Sequence, residues 1–345
     1  MSEQRSCGDV RSDRPAGRRS FLAAVSGAAT AGVAGCVGAA SAGRNTVTVF
    51  HAGSLSPPFA AAEPSFQSET GLTVHREAKG SVGSTQKITE EGRHADVLGV
   101  SDFRLVRDMI LPAFADWYGV FATNAMAVAY TDDSAYADEF DAGNWWEILS
   151  RDDVRVGHSD PAVDPCGYRS VMAMRLGAVD FDGESLYGER TARRLEDNAV
   201  VAASTETDLI GQLETGSLDY AWEYRSAGAT HESLNVTTLQ PRVNLAELSD
   251  RYADHYASVS VDAGGDTYTG APIAYGITVP SVAENPAGGR KWVDYLTDGA
   301  GERFLRESGF EQVSPMVVPE RTADAAPPQV LDGAATRTHL GPLSL

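Results

Sequence analysis

The chain has 345 residues, of which 42% are hydrophobic and 22% charged, and these values indicate a globular protein long enough to form two lobes or domains. Its formal net charge is -20, and Lys79, Lys87 and Lys291 are its only lysines. The charge excludes nucleic acid as an expected partner. An acidic, lysine-poor surface is typical of proteins that work at very high salt, where screening makes dense like charge tolerable, and a low-salt source explains the lysine scarcity less well.

The first predicted element is an export signal. Arg18 and Arg19 precede an apolar stretch rich in Ala and Gly that ends at Cys36, and the whole resembles a twin-arginine signal with a lipobox. We expect residues 1–35 to be a cleaved signal peptide and residues 36–45 to be a tether. A lipid on Cys36 would then anchor the folded protein to the extracellular face of the cell membrane.

From Thr46 onward, short β-branched runs alternate with amphipathic stretches, which predicts strands and helices in turn. The predicted elements of this first unit are strand 47–50, helix 57–69, strand 72–75, helix 82–91, strand 96–100 and strand 125–130. Strands separated by helices indicate a mostly parallel sheet that binds ligands at the carboxyl ends of its strands.

A second unit repeats this rhythm. Its predicted elements are helix 144–149, strand 154–157, helix 167–177, strand 199–202, helix 206–214 and strand 218–222, and they are followed by strand 272–279 and by helices 290–296 and 301–307. Because the last three elements look like the first unit resumed, we predict a two-lobed α/β fold with the ligand in the cleft.

The predicted boundaries follow from this rhythm. Lobe 1 comprises residues 46–126 and 272–318, and lobe 2 comprises residues 127–271. The chain is expected to cross between the lobes near Ala125–Thr131 and again near Tyr268–Tyr275. Residues 319–345 form a C-terminal tail with little periodicity, which we expect to wrap the surface or to be disordered.

Two glycine-serine pairs, Gly53-Ser54 and Gly80-Ser81, lie where a predicted strand turns into a helix. Unpaired N–H groups and the helix dipole favour an anion at such a position, and serine adds a hydroxyl donor. The alternative is that Ser54 and Ser81 only cap their helices, which is the commoner role of such serines. Capping and ligand binding do not exclude each other.

Two acidic residues occur at comparable positions later in the chain. Asp164 precedes a predicted helix and could equally be a helix-start residue. Glu223 ends an apolar strand, and the alternative is that it pairs with Arg225 or another surface arginine. Two carboxylates beside an anion repel it unless they contact something positive, such as the metal atom at the centre of molybdate or tungstate. The same carboxylates would disfavour sulfate and phosphate.

The segments that carry this chemistry resemble the archaeal tungstate/molybdate-binding proteins of ABC importers over roughly residues 47–313. They are Phe50-His51-Ala52-Gly53-Ser54-Leu55, Glu77-Ala78-Lys79-Gly80-Ser81-Val82, Ala113-Phe114-Ala115-Asp116-Trp117-Tyr118, Phe121-Ala122-Thr123-Asn124, Asp164-Pro165-Cys166-Gly167-Tyr168-Arg169-Ser170, Tyr220-Ala221-Trp222-Glu223-Tyr224 and Tyr275-Gly276-Ile277-Thr278. The resemblance implies a type II periplasmic-binding-protein fold and an ABC permease as partner.

The resemblance also implies roles for particular residues. Ser54 and Ser81, with the backbone at Gly53 and Cys166, would hold the oxygens of the dianion. The residues that it implies as ligands of the metal centre are Asp164 and Glu223. Tungstate and molybdate match closely in size and charge, so the sequence does not separate them.

Other functions have less support in the sequence. The seven histidines show no zinc-binding spacing, and no nucleophile elbow or nucleotide-binding motif is present. We therefore expect a monomeric binding protein with no enzymatic activity and no cofactor.

Two alternatives stay open. One is a ferric or other hard-cation site that adds tyrosines to the two carboxylates, and the other is a hydrolase that uses the carboxylates as an acid/base pair. The tyrosines in question are Tyr168, Tyr220 and Tyr275.

Overall fold

The computed structural model describes residues 45–345, in which two β-sheets are flanked by helices. The predicted signal peptide and Cys36 lie outside the described residues. In chain order the strands are β1 (Thr46–His51), β2 (Thr73–Ala78), β3 (Val97–Val100), β4 (Gly119–Thr123), β5 (Met126–Tyr130), β6 (Val156–Ser159), β7 (Ala199–Ala203), β8 (Tyr220–Tyr224), β9 (Asn235–Thr238), β10 (Ser260–Ala263), β11 (Asp266–Thr269), β12 (Ala274–Thr278), β13 (Glu311–Pro319), β14 (Ala334–Arg337), β15 (His339–Leu340) and β16 (Leu343–Ser344).

The helices connect these strands. They are α1 (Ser56–Thr70), α2 (Ser81–Thr89), α3 (Phe103–Leu105), α4 (Trp145–Leu149), α5 (Pro165–Leu176), α6 (Glu189–Asn198), α7 (Thr207–Glu214), α8 (Ala227–Thr230), α9 (Pro241–Asn244), α10 (Asp250–Tyr256), α11 (Pro286–Thr297), α12 (Glu302–Glu307) and α13 (Pro328–Asp332). Short 3-10 segments cover Gly53–Leu55, Ala137–Glu139 and Glu320–Ala325, and a π-helical turn covers Val106–Ile110.

Each sheet is the centre of one lobe. The seven-stranded sheet has the strand order β14-β13-β4-β12-β3-β1-β2, and together with α1–α3 and α11–α13 it forms what we call the first lobe. The five-stranded sheet has the order β7-β6-β8-β5-β9, and together with α4–α10 and the β10–β11 hairpin, which packs against α5, it forms the second lobe. The two-lobed α/β architecture predicted from the sequence is therefore present.

The two sheets repeat one strand order, β2-β1-β3-β12-β4 in the first lobe and β7-β6-β8-β5-β9 in the second. The first three strands of each set are parallel, and β12 and β5 pair with their neighbours antiparallel. Each sheet is thus mixed rather than mostly parallel, because β5 and β12, the strands that the chain forms just after crossing between the lobes, run antiparallel to their neighbours. By position in their sheets, β1 corresponds to β6, β2 to β7 and β3 to β8.

The chain crosses between the lobes at two places. It leaves β4 at Thr123 and joins β5 at Met126, and it returns between Thr269 of β11 and Ala274 of β12. Since the carboxyl ends of β1, β2, β6 and β7 lead into helices that face the cleft, the loops after these strands bring residues of both lobes together.

Large aromatic side chains fix the helices on the sheets. Trp292 of α11 packs edge-on against Phe59 and Phe66 of α1, with ring centroids 5.6 and 4.9 Å apart. In the second lobe Trp145 of α4 packs edge-on against Trp222 of β8 at 5.6 Å. Such contacts bury large apolar areas, so they hold each lobe rigid around the strand ends that form the site.

The segment after β13 has regular structure over most of its length. It contains a 3-10 segment, α13, and β14, which pairs in parallel with β13 at the edge of the seven-stranded sheet, and it ends in the β15–β16 hairpin. This C-terminal segment therefore extends the first lobe. Within residues 45–345 no helix is both long and apolar enough to span a bilayer.

Candidate functional site

Ser54 lies in the 3-10 segment between β1 and α1, on the first lobe's side of the cleft. Its hydroxyl oxygen is 3.0 Å from the hydroxyl oxygen of Tyr275 on β12, and its backbone N–H donates to the Glu206 carboxyl at 2.6 Å. The N-cap residue of α1 is Leu55, and no side chain caps that end. The alternative that Ser54 is only a helix cap is therefore wrong.

Ser81 begins α2 after β2, and its side chain is fully buried. Its hydroxyl oxygen accepts the backbone N–H of Ser101 at 2.9 Å and lies 3.0 Å from the Ser101 hydroxyl oxygen. The N-cap residue of α2 is Gly80, again without a side-chain cap. The capping alternative is wrong here too, and the loop after β3 holds Ser81 in place.

Asp164 is the N-cap residue of α5, and one of its carboxyl oxygens accepts the Cys166 N–H at 3.2 Å. The helix-start alternative is thus correct for this residue, yet its other oxygen accepts the backbone N–H of Glu206 at 3.0 Å. Cys166 gives its N–H to Asp164, and burial raises the pKa of its thiol well above the ordinary value. Cys166 is therefore a neutral thiol whose backbone orients a carboxyl group.

Glu223 lies in β8 with 2% of its surface exposed. One of its oxygens accepts the N–H of Tyr224 at 3.2 Å, and the other has no hydrogen-bond partner among residues 45–345. Arg225 instead contacts Glu311 at 3.2 Å. The alternative that Glu223 pairs with Arg225 is therefore wrong, and Glu223 is a buried carboxyl with an unused oxygen.

Glu206 is a third carboxyl that the sequence analysis missed. It lies between β7 and α7 with 1% of its surface exposed; one oxygen accepts the Ser54 N–H, and the other has no hydrogen-bond partner within the described chain. A Cβ atom added to Gly53 would lie only 3.0 Å from that free oxygen. The signal that could have found Glu206 is its position: it follows β7 as Ser81 follows the equivalent strand β2.

Two pairs of loops bring the lobes together beside the site. One pair joins Ser54 to Glu206, as described above, and the other places Gly80 against the backbone carbonyl of Val163. The carbonyl oxygen of Val163 also accepts the Gly83 N–H at 3.3 Å. The cleft is therefore closed at the point where the serines of the first lobe face the carboxyl groups of the second.

Asp164, Glu206 and Glu223, which we call the carboxyl cluster, have no positive partner among the described residues. Burial raises the pKa of Asp164, and it raises the pKa of Glu223 well above the ordinary value. Burial, followed by the charge of Asp164, does the same to the pKa of Glu206. No Lys, Arg or His among residues 45–345 forms an ion pair with the cluster. A positive centre placed among these groups would favour their ionised forms.

A cavity of about 20 Å³ lies between the lobes beside this cluster. Its lining residues are Ser54, Pro57, Glu206, Thr207, Ile210, Glu223, Ser226, Ala227, Thr230 and His231. The structure thus brings Ser54, Glu206 and Glu223 to one cavity. Asp164 does not line it but accepts the backbone N–H of Glu206, and Ser81 follows Gly80 in the loop that contacts Val163. In the described part of the chain, no three or more His, Cys, Asp or Glu side chains are arranged to hold a bare metal ion.

Comparison with known sequences gives consistent matches. A family model described as bacterial extracellular solute-binding protein matches residues 47–311. The molybdate/tungstate-binding protein WtpA of Thermococcus kodakarensis is 37% identical over 317 residues, covering 82% of this chain and 88% of the relative. The protein of the same name from Pyrococcus abyssi is 37% identical over 316 residues, covering 83% and 91%.

Solved structures support the fold. The sulfate-binding protein SubI of Mycobacterium tuberculosis matches with a TM-score of 0.59 at 15% identity, covering 85% of this chain and 94% of that one. The periplasmic molybdate-binding protein of Azotobacter vinelandii matches with a TM-score of 0.51 at 14% identity, covering 76% and 98%. At these identities the likeness concerns the fold alone, and it confirms the predicted two-lobed periplasmic-binding-protein architecture.

Proposed function

Because this chain belongs to the bacterial extracellular solute-binding proteins, which it matches over residues 47–311, we propose that it captures tungstate or molybdate and delivers the anion to an ABC permease. The WtpA relatives are molybdate/tungstate-binding proteins by name, and this chain is 37% identical to each over most of both chains. We also propose export through the twin-arginine signal, a lipid anchor on Cys36, and action as a monomer. No catalysis is involved.

One observation carries this proposal. Three buried carboxyl groups lie beside hydroxyl and amide donors, and no basic side chain of residues 45–345 forms an ion pair with them. A plain oxyanion has no centre to which the carboxylates can bind, so every ionised member of this cluster would repel it. Tungstate and molybdate differ because their hexavalent metal centre is electron-poor and accepts further oxygen ligands, so carboxylates can bind the centre while donors hold the outer oxygens.

The contacts suggest how the carboxyl groups divide this work. The resemblance assigned the metal centre to Asp164 and Glu223, whereas Glu206 contacts both Asp164 and the donor loop at Ser54. We propose that Asp164 and Glu206 bind the metal centre directly. Glu223 lines the same cavity, and we propose that it is either a further ligand from β8 or a charged wall beside the anion.

The donors come mainly from the first lobe. We propose that the hydroxyls of Ser54 and Ser81, with backbone amides at Gly53 and Cys166, take the oxygens of the anion. Ligand binding would then displace the present contact between the Ser54 N–H and Glu206, freeing an amide for the anion and a carboxyl oxygen for the metal. The Cys166 N–H, which now donates to Asp164, would have to be released in the same way before it binds the anion.

The same arrangement accounts for selectivity. Sulfur and phosphorus in sulfate and phosphate do not add carboxylate ligands, so for those anions the cluster is only repulsive. The carboxyl groups would therefore reject the commoner anions while they bind the metal-centred ones.

A thermal-shift panel tests this function directly. At high salt, we expect tungstate and molybdate to raise the melting temperature of the full chain in a concentration-dependent way, since a ligand that binds only the folded state stabilises it by mass action. Sulfate, phosphate and ferric iron serve as controls and should produce no comparable shift. Stabilisation by ferric iron alone would favour a hard-cation site, and stabilisation by sulfate or phosphate as strong as that by tungstate would contradict the proposal.

A further inference from the structure

Arg169 is a buried cation that contacts the opposite lobe. It lies on α5 of the second lobe with 1% of its surface exposed. One terminal nitrogen donates to the backbone carbonyl of Ser101 at 2.9 Å and to the hydroxyl of Tyr224 at 2.8 Å, and the other lies 3.3 Å from the carboxylate of Asp102. Ser101 and Asp102 follow β3 of the first lobe, so two of the three contacts cross the cleft.

Asp102 is the partner on the first lobe, and it is equally buried. It caps α3 and pairs with Arg104 at 2.6 Å within its own lobe. Across the cleft it accepts the hydroxyl of Tyr168 at 2.8 Å in addition to its contact with Arg169. The charges of Arg104 and Arg169 outweigh burial and lower the pKa of Asp102, so the carboxylate is ionised.

The pair is linked to the site through one residue. Ser101 offers its carbonyl oxygen to Arg169 and its N–H to the hydroxyl of Ser81, which is proposed to bind the anion. Arg169 therefore reaches from the second lobe to the loop that positions Ser81 in the first. Its contacts with Ser101 and Asp102 can form only when the two lobes are in the present closed arrangement.

We infer that the Asp102–Arg169 ion pair forms across the cleft when the lobes close, and that it thereby sets the rate at which bound ligand leaves. This inference rests on the proposed function for its ligand. When the lobes part, both charges return to water. The pair therefore provides little net driving force for closure. Removing Asp102 leaves the Arg169 charge buried without a carboxylate partner in the closed form alone, whereas removing Arg169 leaves Asp102 paired with Arg104 but deletes its charged contact across the cleft.

Buried and exposed ion pairs respond differently to salt. Salt screens exposed charges whose separation exceeds the Debye length, which falls to about 3 Å at 1 M, whereas a pair buried between lobes is screened much less. The Asp102–Arg169 contact should therefore keep its effect at the high salt for which the acidic surface is suited. Arg175 offers a matched comparison, since it lies on the same helix α5 and pairs at 2.8 Å with Glu196 of the same lobe, half-exposed to solvent.

The test is the rate of tungstate release from loaded protein, measured by stopped flow at low and high salt. We expect Asp102→Asn and Arg169→Gln each to raise the release rate at least about tenfold at both salt concentrations, because truncating a buried charge pair acts mainly on dissociation. The double variant should release little faster than either single one, since the two residues act as a unit. Arg175→Gln should leave the release rate unchanged.

A milder variant and a ligand-independent readout complete the design. Tyr168→Phe removes only one hydrogen bond to Asp102 and should raise the release rate by a smaller factor, even if the charge variants fold poorly. Small-angle scattering of the ligand-free protein should show a larger radius of gyration for the single variants, whether or not tungstate is the ligand. Unchanged release by Tyr168→Phe and either charge variant, with an unchanged radius of gyration, would overturn the inference.

If the charge variants lower the melting temperature but leave both readouts unchanged, the pair is only structural and the inference is wrong. If no oxyanion binds the unaltered protein, the proposed function fails while the scattering result still decides the inference. The two failures are therefore distinguishable.

Discussion

Replacing Asp164 by Asn or Glu206 by Gln is expected to weaken tungstate binding on the order of 100-fold, equivalent to about 2.7 kcal/mol. Each substitution keeps the size of the side chain. Glu206→Gln keeps an oxygen that can accept the Ser54 N–H, whereas Asp164→Asn keeps an acceptor for only one of the two N–H groups, of Cys166 and Glu206, that Asp164 now accepts. Both substitutions remove the negative charge that an electron-poor metal centre requires from its ligands. Isothermal titration calorimetry at high salt measures the effect.

The matched control is Asp208→Asn. Asp208 lies two residues from Glu206 in the first turn of α7, but it is exposed and contacts Thr205 rather than the cavity. Its substitution should leave the affinity unchanged.

Glu223→Gln decides between the two proposed roles of Glu223. A loss of affinity as large as that of Glu206→Gln makes Glu223 a ligand of the metal centre, and a small change makes it part of the charged wall beside the anion. Unchanged affinity in both Asp164→Asn and Glu206→Gln would remove the coordination model.

Replacing Gly80 by Ala is expected to weaken tungstate binding about 5- to 150-fold, the equivalent of about 1–3 kcal/mol for forcing a methyl group into a packed contact. The new Cβ atom would collide with the backbone carbonyl of Val163 and lie 3.0 Å from the Cβ atom of Asp164, both in the opposite lobe. The φ of Gly80 is -52° and its ψ is 143°, which any residue can adopt. The substitution therefore acts on lobe closure and leaves the local backbone unstrained.

Gly211→Ala is the corresponding control for a glycine-to-alanine change. Gly211 is an exposed residue of α7, and an added Cβ atom would meet no atom within 4 Å. Alanine should stabilise this helix slightly and leave binding unchanged. The affinity of both variants can be compared by calorimetry, with circular dichroism to establish that they are folded. Wild-type affinity in Gly80→Ala would mean that the lobes do not meet at this contact when the ligand is bound.

The sequence was informative where function depends on local chain geometry. Ser54 and Ser81 follow glycine at the carboxyl ends of β1 and β2, and a strand-to-helix turn can be recognised from such short segments. The N-cap position of Asp164 before a proline was also readable locally. The two-lobed α/β fold followed from the alternation of strands and helices, which is itself a local signal.

Glu206 shows why the site was only partly predictable. As the first residue of a predicted helix, it is indistinguishable in sequence from an acidic residue that merely complements the helix dipole. Its role depends on the position of β7, which holds in the second sheet the place that β2 holds in the first. This correspondence follows from the pairing of β6 with β7 and β8. Long-range strand pairing has no local signature, so the sequence could not reveal it.

Strands that lack a regular pattern were missed for related reasons. Gly119–Thr123 and Met126–Tyr130 lie so close together that only the second was recognised, although they belong to different sheets. β13 begins with polar residues, contains Pro315 and shifts register between Gln312 and Val317. Proline cannot donate to a strand ladder and is tolerated at such irregularities, so the alternating pattern that identifies a strand is broken there.

X-ray absorption spectroscopy at the tungsten edge, on protein loaded with tungstate, tests the central claim most directly. Carboxylate oxygens from Asp164 and Glu206 should enlarge the coordination of the metal from four oxygens to six, with the added shell reduced in Asp164→Asn and Glu206→Gln. A spectrum of regular four-coordinate tungstate in the loaded protein, identical to that of the free anion, would contradict the proposed binding of the metal centre by the carboxyl cluster.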